Sequence, residues 1–306
     1  MNQIDIINDE YEVLFMTITR FEIFSTVVEL NSFTMAAKKL NMTQSAVSHA
    51  VASLESEWGT KLLIRDRRKG LFLTEIGRTT LTQIREILKR MENIKQEVAL
   101  ASDLEMGTVR IGSFNTASSY LLPKIISKFN RKHPNIELMI FDGVQEEIVE
   151  WLDTGGIDIG FVIQQDDLKF EISPLIEETM VVIYPEGHPF QDQSMIRVEE
   201  LEQESFIMPK GIYRFYVEQI FDQAKVDPLI RFEVQNCNTI ASMIEDGLGI
   251  TVGPELFYKT KSNVQIGHLD QSNSHLVSLA FPSLSCASPA VRSFVSEARN
   301  IFSRAL

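Results

Sequence analysis

SFTMAAKKLNMTQSAVSHAVASLESEWGTKLLIRDRRKGLFL, residues 32–73, decides how the rest of the chain is read. The spacing predicts a helix over 33–40 with Ala36, Ala37 and Leu40 inward. A turn at Asn41-Met42 and a second helix capped by Thr43 follow. In that second helix Val47, Ala50, Val51, Leu54 and Trp58 recur at three- and four-residue steps and form one buried stripe. The opposite face carries Gln44, Ser45, Ser48, His49 and Ala52, small or hydrogen-bonding groups that let a helix approach base edges in a major groove. A helix pair with a polar outer face is common in any helical protein, and the following segment tips the balance. Leu62-Leu63-Ile64 and Leu71-Phe72-Leu73 read as short strands flanking the cationic turn Arg65-Asp66-Arg67-Arg68-Lys69-Gly70. A cationic hairpin after a two-helix reader is a winged helix-turn-helix, its wing placed to meet phosphates. The candidate base readers are Thr43, Gln44, Ser45, Ser48 and His49; the candidate phosphate contacts are Arg65, Arg67, Arg68 and Lys69.

SFTMAAKKLNMTQSAVSHAVASLE, then GTKLLIRD, then LFLTEIGR, closely resembles the N-terminal domain of LysR-type transcriptional regulators, across more than forty consecutive positions. Members of that family usually open the recognition helix with Ser-Gln-Pro, where this chain has Thr43-Gln44-Ser45. They often carry basic residues later on it, where this chain has Ala50, Ala52 and Ser53. The resemblance implies a regulator of promoter DNA that dimerises through a long helix, with two dimers joining through effector domains into a tetramer and RNA polymerase as a further partner.

The 306 residues are enough for two or three domains with substantial cores, and 44% apolar with 23% charged residues is ordinary for a soluble globular chain. No apolar run approaches the ~20 residues that span a bilayer. The opening MNQIDIINDEYEVLF carries four acids and no cation, unlike a signal peptide, and Cys237 and Cys286 make no disulfide framework, so a cytoplasmic protein is expected. Net charge is −13, but residues 16–75 hold eight Lys/Arg against six Asp/Glu, while residues 76–306 hold 21 against 32. The reader is thus the one net-positive segment, and an acidic remainder repels DNA. Residues 1–15 precede the usual family start; either Met16 is the start or 1–15 form a short acidic extension.

Ile18, Phe21, Phe24, Val27 and Val28 fit a first helix that supplies core to the reader. Thr74 is a candidate cap for a long helix in which Ile84, Ile87, Met91, Ile94, Val98 and Ala101 follow an a/d spacing. That seam fits either a second helix of the same kind or packing on its own chain. The charges on the other faces, and the resemblance, favour a dimer. After Gly107, strands at 109–112, 136–141 and 157–163 alternate with helices at 120–132 and 145–153, which implies a parallel sheet covered on both faces. A second α/β unit follows: a strand at 179–184, helices at 214–224 and 239–247, a strand near 249–254, a returning strand at 277–281 and a last helix at 289–304. TVRIG, YLLPKIISKF, GIDIGFVI, EGHPF, IEDGLGITVGPE and SPAVRSFV resemble the family's effector domain, which looks like a periplasmic binding protein with two α/β lobes. The expected organisation is an extension 1–15, a winged helix-turn-helix 16–75, a dimerisation helix 76–105 and an effector-binding domain 106–306. Lobe one is 107–165 plus 273–306 and lobe two 166–272.

In open α/β lobes ligands sit beyond the carboxyl ends of strands, near helix N-termini. Ser113, Asn115, Thr116 and Ser118 follow the first strand of lobe one, either as ligand contacts or as caps of the next helix. Gln164 ends a strand at the same level; Met208, Lys210 and Thr239 face it from lobe two. Hydroxyls with helix N–H groups suit an anionic metabolite, which Lys210 or Arg214 would neutralise unless these are ordinary surface charges. Cys237 precedes a helix whose dipole can lower its pKa, so a thiol-based redox sensor is an alternative. The five His and two Cys show no metal spacing, and no nucleophile elbow, phosphate loop or dinucleotide fingerprint marks an enzyme.

Overall fold

A computed structural model describes residues 17–66, 70–101, 105–165, 168–271 and 273–303. Two compact units result: the first ends at Val98 and takes in Asp153–Gly156, and the second comprises the rest of the chain from Ala99 onward.

The first unit opens with α1, residues 17–29. Phe21, Ile23, Phe24 and Val27 of α1 are buried, and Ile18 and Val28 pack at the edge of the same core. Helix α2 (Phe33–Lys39) is capped by Ser32, and α3 (Gln44–Glu57) by Thr43, whose hydroxyl accepts from the amide of Ala46 at 3.2 Å. Val47, Val51 and Leu54 form the inward stripe of α3. Trp58 departs from the expected stripe: it is the C-cap, stays 38% exposed, and meets Phe21 at a ring separation of 5.9 Å. Strands β1 (Leu63–Asp66) and β2 (Gly70–Leu73) pair antiparallel from Leu63↔Leu73 to Asp66↔Gly70.

A buried carboxylate joins reader helix to wing. Glu55 accepts the amides of Leu62 at 2.9 Å and Leu63 at 3.1 Å, and the ammonium of Lys61 at 2.6 Å. Burial pushes its pKa up, but the hydrogen bonds from Lys61 and the two amides outweigh that and hold it below the usual range. A lowered folded-state pKa contributes stability that is present above the unfolded pKa of ~4.5 and lost as pH falls through the folded value. Glu55→Gln should therefore cost the reader about 1–2 kcal/mol at pH 7 and narrow the stability gap to wild type as pH drops below about 4. Urea melts across pH 3–7 check this; a gap that is constant with pH would refute it.

Thr74 caps the long helix α4 (Glu75–Leu100): its hydroxyl accepts the amide of Gly77 at 2.9 Å and donates to the carbonyl of Lys61 at 2.8 Å. A Cβ on Gly77 would lie 2.1 Å from the Leu62 carbonyl oxygen, so only glycine lets α4 start this close to the wing.

In the second unit, β3 (Gly107–Ser113) runs parallel to β4 (Ile136–Asp142) and β5 (Ile159–Ile163). The connections are a π-helical turn (Ala117–Leu121) leading into α5 (Leu122–Lys132), and α6 (Gln145–Asp153). Strands β3, β4 and β5 are parallel as expected, and the returning strand β11 (Ser274–Phe281) adds an antiparallel neighbour to β5. Strand β6 (Glu171–Tyr184) begins eight residues earlier than its apolar stretch and serves both lobes. Its first part pairs with β11, and Met180–Tyr184 pair with β9 (Thr251–Pro254) and β10 (Gln265–Gly267). Lobe two is completed by β7 (Ser205–Pro209), α7 (Ile212–Ala224), β8 (Leu229–Val234), α8 (Cys237–Glu245) and the short α9 (Glu255–Tyr258). Helix α10 (Pro289–Phe302) returns to lobe one, where Phe294 meets Phe129 of α5 edge-on at 5.3 Å. The product is a two-lobed α/β domain around one hydrophobic core.

Candidate functional site

On α3, packing of one face leaves the other open. Thr43, Gln44, Ser45 and His49 are exposed and Ser48 is half-exposed, all on the N-terminal two turns. Thr43 and Ser45 hydroxyls lie 3.0 Å apart. The exposed amide, hydroxyls and imidazole offer both donors and acceptors, which base edges require. Arg65 is also engaged within the chain. Its guanidinium stacks on Phe33 at 3.8 Å and donates to Ser48 Oγ at 3.1 Å, so it ties wing to α2 and α3. The Arg67, Arg68 and Lys69 contacts lie outside the described residues.

In the second unit the loop after β3 is drawn inward. Ser113 and Thr116 are buried, and the Ser113 hydroxyl has no hydrogen-bond partner among the described residues. Thr116 Oγ1 lies 2.7 Å from the hydroxyl of Tyr213, a buried residue of α7, and this bond joins lobe one to lobe two. Asn115 hydrogen-bonds the thiol of Cys237. Sequence reasoning missed Tyr213; an aromatic with a polar tip two residues beyond Gly211 was the available signal. Ser118 instead donates to Asp142 at 2.7 Å, at the end of β4.

The lobe-two candidates do not converge on that loop. Met208 is a buried core residue of β7. Thr239 is exposed, its amide donating to the Asn236 cap of α8. Lys210 and Arg214 both pair with Glu233, at 3.7 and 3.0 Å, and Arg214 also with Glu218 at 2.6 Å. Both cations are thus neutralised at the surface. Gln164 is exposed and its backbone N–H donates to the Leu276 carbonyl at 2.9 Å. It lines a pocket of about 260 Å³ with Glu177, Tyr216, Ser274, His275 and Leu276. Behind it, His275 Nε2 and Glu178 Oε2 form a buried pair at 2.9 Å, and Tyr216 stacks on the imidazole at 4.7 Å. Burial pushes the Glu178 carboxyl up despite this partner, and it pushes Tyr213 well up, with the nearby Glu178 charge adding to the effect.

Cys237 is buried, and burial raises its thiol to about 11 even though Asn115 and Tyr258 hydrogen-bond it. Its helix position does not produce a reactive thiolate, because desolvation outweighs the α8 dipole. Among the described residues no His, Cys, Asp and Glu groups cluster as a metal site, and no helix is long and apolar enough to cross a membrane.

Residues 18–78 match the family described as "Bacterial regulatory helix-turn-helix protein, lysR family", and residues 102–303 match "LysR substrate binding domain". The HTH-type transcriptional regulator YvbU of Bacillus subtilis (strain 168) is 40% identical over 290 residues, covering 94% of this chain and 99% of that protein. A full-length OxyR variant from Pseudomonas aeruginosa superposes with a TM-score of 0.74 at 21% identity, over 92% of this chain and 94% of that one. The regulatory domain of CcmR from Synechocystis, solved in complex with 2-PG, superposes with a TM-score of 0.61 at 22% identity, over 65% and 99%.

Proposed function

The chain belongs to the LysR family of transcriptional regulators, and from that premise we propose which of its residues read DNA and which sense an effector. The exposed N-terminal face of α3 carries the reading: Thr43, Gln44, Ser45, Ser48 and His49 stand together opposite the packed Val47–Val51–Leu54 stripe. They contact bases. Arg67, Arg68 and Lys69 contact phosphates, and Arg65 holds the wing against α3. The protein is a regulator without catalytic activity that works in the cytoplasm, where its DNA is.

Selection of binding sites from random duplexes, then anisotropy titration over a salt series, tests this. Gln44→Ala should narrow the gap between selected and scrambled sites by about 1–3 kcal/mol. Arg67→Ala should weaken both alike and lower the salt slope by about 1. If Gln44→Ala left discrimination intact, α3 would not be the reader.

The effector-binding half takes a small molecule between the lobes, at Ser113, Asn115 and Thr116, with Tyr213 facing them. The orphaned Ser113 hydroxyl and the inter-lobe Thr116–Tyr213 bond support this placement. The expectation of an anion loses its cation, because Lys210 and Arg214 are held by Glu233. We therefore take the effector to be a small polar metabolite of no fixed negative charge. The redox alternative is disfavoured by the buried, protonated Cys237 thiol. We place the domain boundaries at 16–75, 76–105 and 106–306, with a homodimer through α4 and a tetramer through the effector domains. A thermal-shift screen of metabolites against the full chain identifies the effector, since a ligand that binds only the folded state raises its melting temperature.

A further inference from the structure

Thr116 does not line the 260 Å³ pocket at the hinge between the lobes, although its partner Tyr213 stands 6.0 Å from His275 in the pocket wall, and of the residues expected to meet an effector only Gln164 lines it. Its wall is assembled from four elements: Gln164 after β5, Glu177 on β6, Ser274 and His275 on β11, and Tyr216 on α7. Three observations bear on its chemistry. First, the exposed Glu177 carboxylate accepts from the Ser274 hydroxyl and has no ion-pair partner among the described residues. Second, His275 is 5% exposed, and its Nδ1 has no hydrogen-bond partner, nor has the Oε1 of Glu178 behind it. A buried polar atom left unpaired costs about 1–3 kcal/mol, a cost that a ligand group can remove. Third, no lysine or arginine lines the pocket.

We propose that this hinge pocket binds a small primary ammonium compound. An ammonium brings three donors and no acceptor. It would place one on Glu177 as a charge-assisted bond and a second on His275 Nδ1, which is the acceptor whenever Nε2–H donates to Glu178. The volume lies just below the usual range for ligand pockets, so the compound is small, of roughly ten non-hydrogen atoms or fewer. A carboxylate ligand would face Glu177 with no lysine or arginine in the pocket wall to offset it. Because the wall is drawn from β6, which serves both lobes, from β11 and from a lobe-two helix, the ligand is sensed where the lobes meet.

The test uses the full chain and calorimetric titration with straight-chain amines of two to six carbons, including 1,4-diaminobutane, against the carboxylates of the same lengths. At least one amine should bind, and no carboxylate should bind comparably. Glu177→Gln, a surface change, should weaken the amine about tenfold or more, as loss of a charge-assisted bond implies. Thr116→Val should weaken the amine far less than Glu177→Gln does, because Thr116 does not line the pocket. Silence from every amine, equal binding of carboxylates, or an affinity indifferent to Glu177→Gln would each overturn the assignment. An amine lost in Thr116→Val but not in Glu177→Gln would also overturn it, and would move the ligand to the loop after β3.

Discussion

Replacing Ile87 and Ile94 together by aspartate should leave a folded monomer that has lost most of its DNA affinity. On α4, Leu81 and Ile84 turn into the reader core and are nearly fully buried. From Ile87 onward the same spacing faces away from that core: Ile87 is 42% exposed, and Ile94 and Val98 are each 64% exposed. The surrounding positions carry charge, with Arg90–Glu86 and Lys95–Glu92 contacts along the helix. A stripe of β-branched residues left open on a charged helix is a seam awaiting a second helix. An apolar pocket of about 340 Å³, lined by Phe21, Trp58, Ile84 and Ile87 among others, continues that surface onto the reader. Because Ile87 and Ile94 are exposed within one chain, aspartate there costs the monomer little. In the paired seam each carboxylate would lose water for no partner, a penalty of several kcal/mol per charge. The dimer constant should rise by about a thousandfold or more, and DNA affinity should fall with it, because two half-sites are no longer bound as one. Sedimentation or light scattering at micromolar concentration reads the first effect and anisotropy the second. A variant that remains dimeric would place the seam elsewhere on the molecule.

The same helix shows what a sequence does and does not disclose. The heptad spacing from Ile84 to Val98 is visible in the letters, but Ile84 faces its own chain and Ile94 faces out, because periodicity marks a face and not its partner. The reader was legible almost residue by residue, since Thr43 capping, the α3 stripe and the wing strands are all local signals. Glu55 and Arg65 were not. One is a buried carboxylate whose partners lie seven and eight residues on, and the other is a wing cation whose partner Ser48 lies 17 residues back. Their roles depend on how the wing folds over α3. In the lobes, the apolar runs located the central strands, while β8, with Leu229, Ile230 and Phe232 left exposed, had no buried run to give it away. The antiparallel β11 follows from chain order alone only if the return from lobe two is known. Lys210 and Arg214 were legible as charges, but Glu233, which pairs with both, is brought to them by pairing of β7 with β8.

Tyr213 is the residue that most changes what the loop site is expected to do, and it makes the response of Thr116 variants a two-part result. Thr116→Val removes a hydroxyl that lies far from the reader in sequence and belongs to the other compact unit. Effector response, read as the shift in DNA affinity when the compound found by thermal-shift screening is added, should be abolished. Basal DNA affinity should stay within about twofold, since surface and cleft changes remote from a site rarely couple strongly to it. Stability should also fall by about 1–3 kcal/mol, because the Tyr213 hydroxyl, fully buried, loses its 2.7 Å partner. Removing that hydroxyl as well separates the two effects. In Thr116→Val with Tyr213→Phe no polar group is left unpaired, so most of the lost stability should return. The response should not return, because the ligand still lacks the Thr116 hydroxyl and the lobes lack the bond that ligand entry must exchange. An allosteric coupling of the usual ~1–3 kcal/mol is within reach of one such bond. Urea melts of the wild type, Thr116→Val, Tyr213→Phe and the double variant, with anisotropy on the selected DNA site with and without effector, complete the cycle. A double variant that regained the response along with its stability would show that Thr116 and Tyr213 only hold the lobes together. The effector would then have to be bound by other residues of the domain.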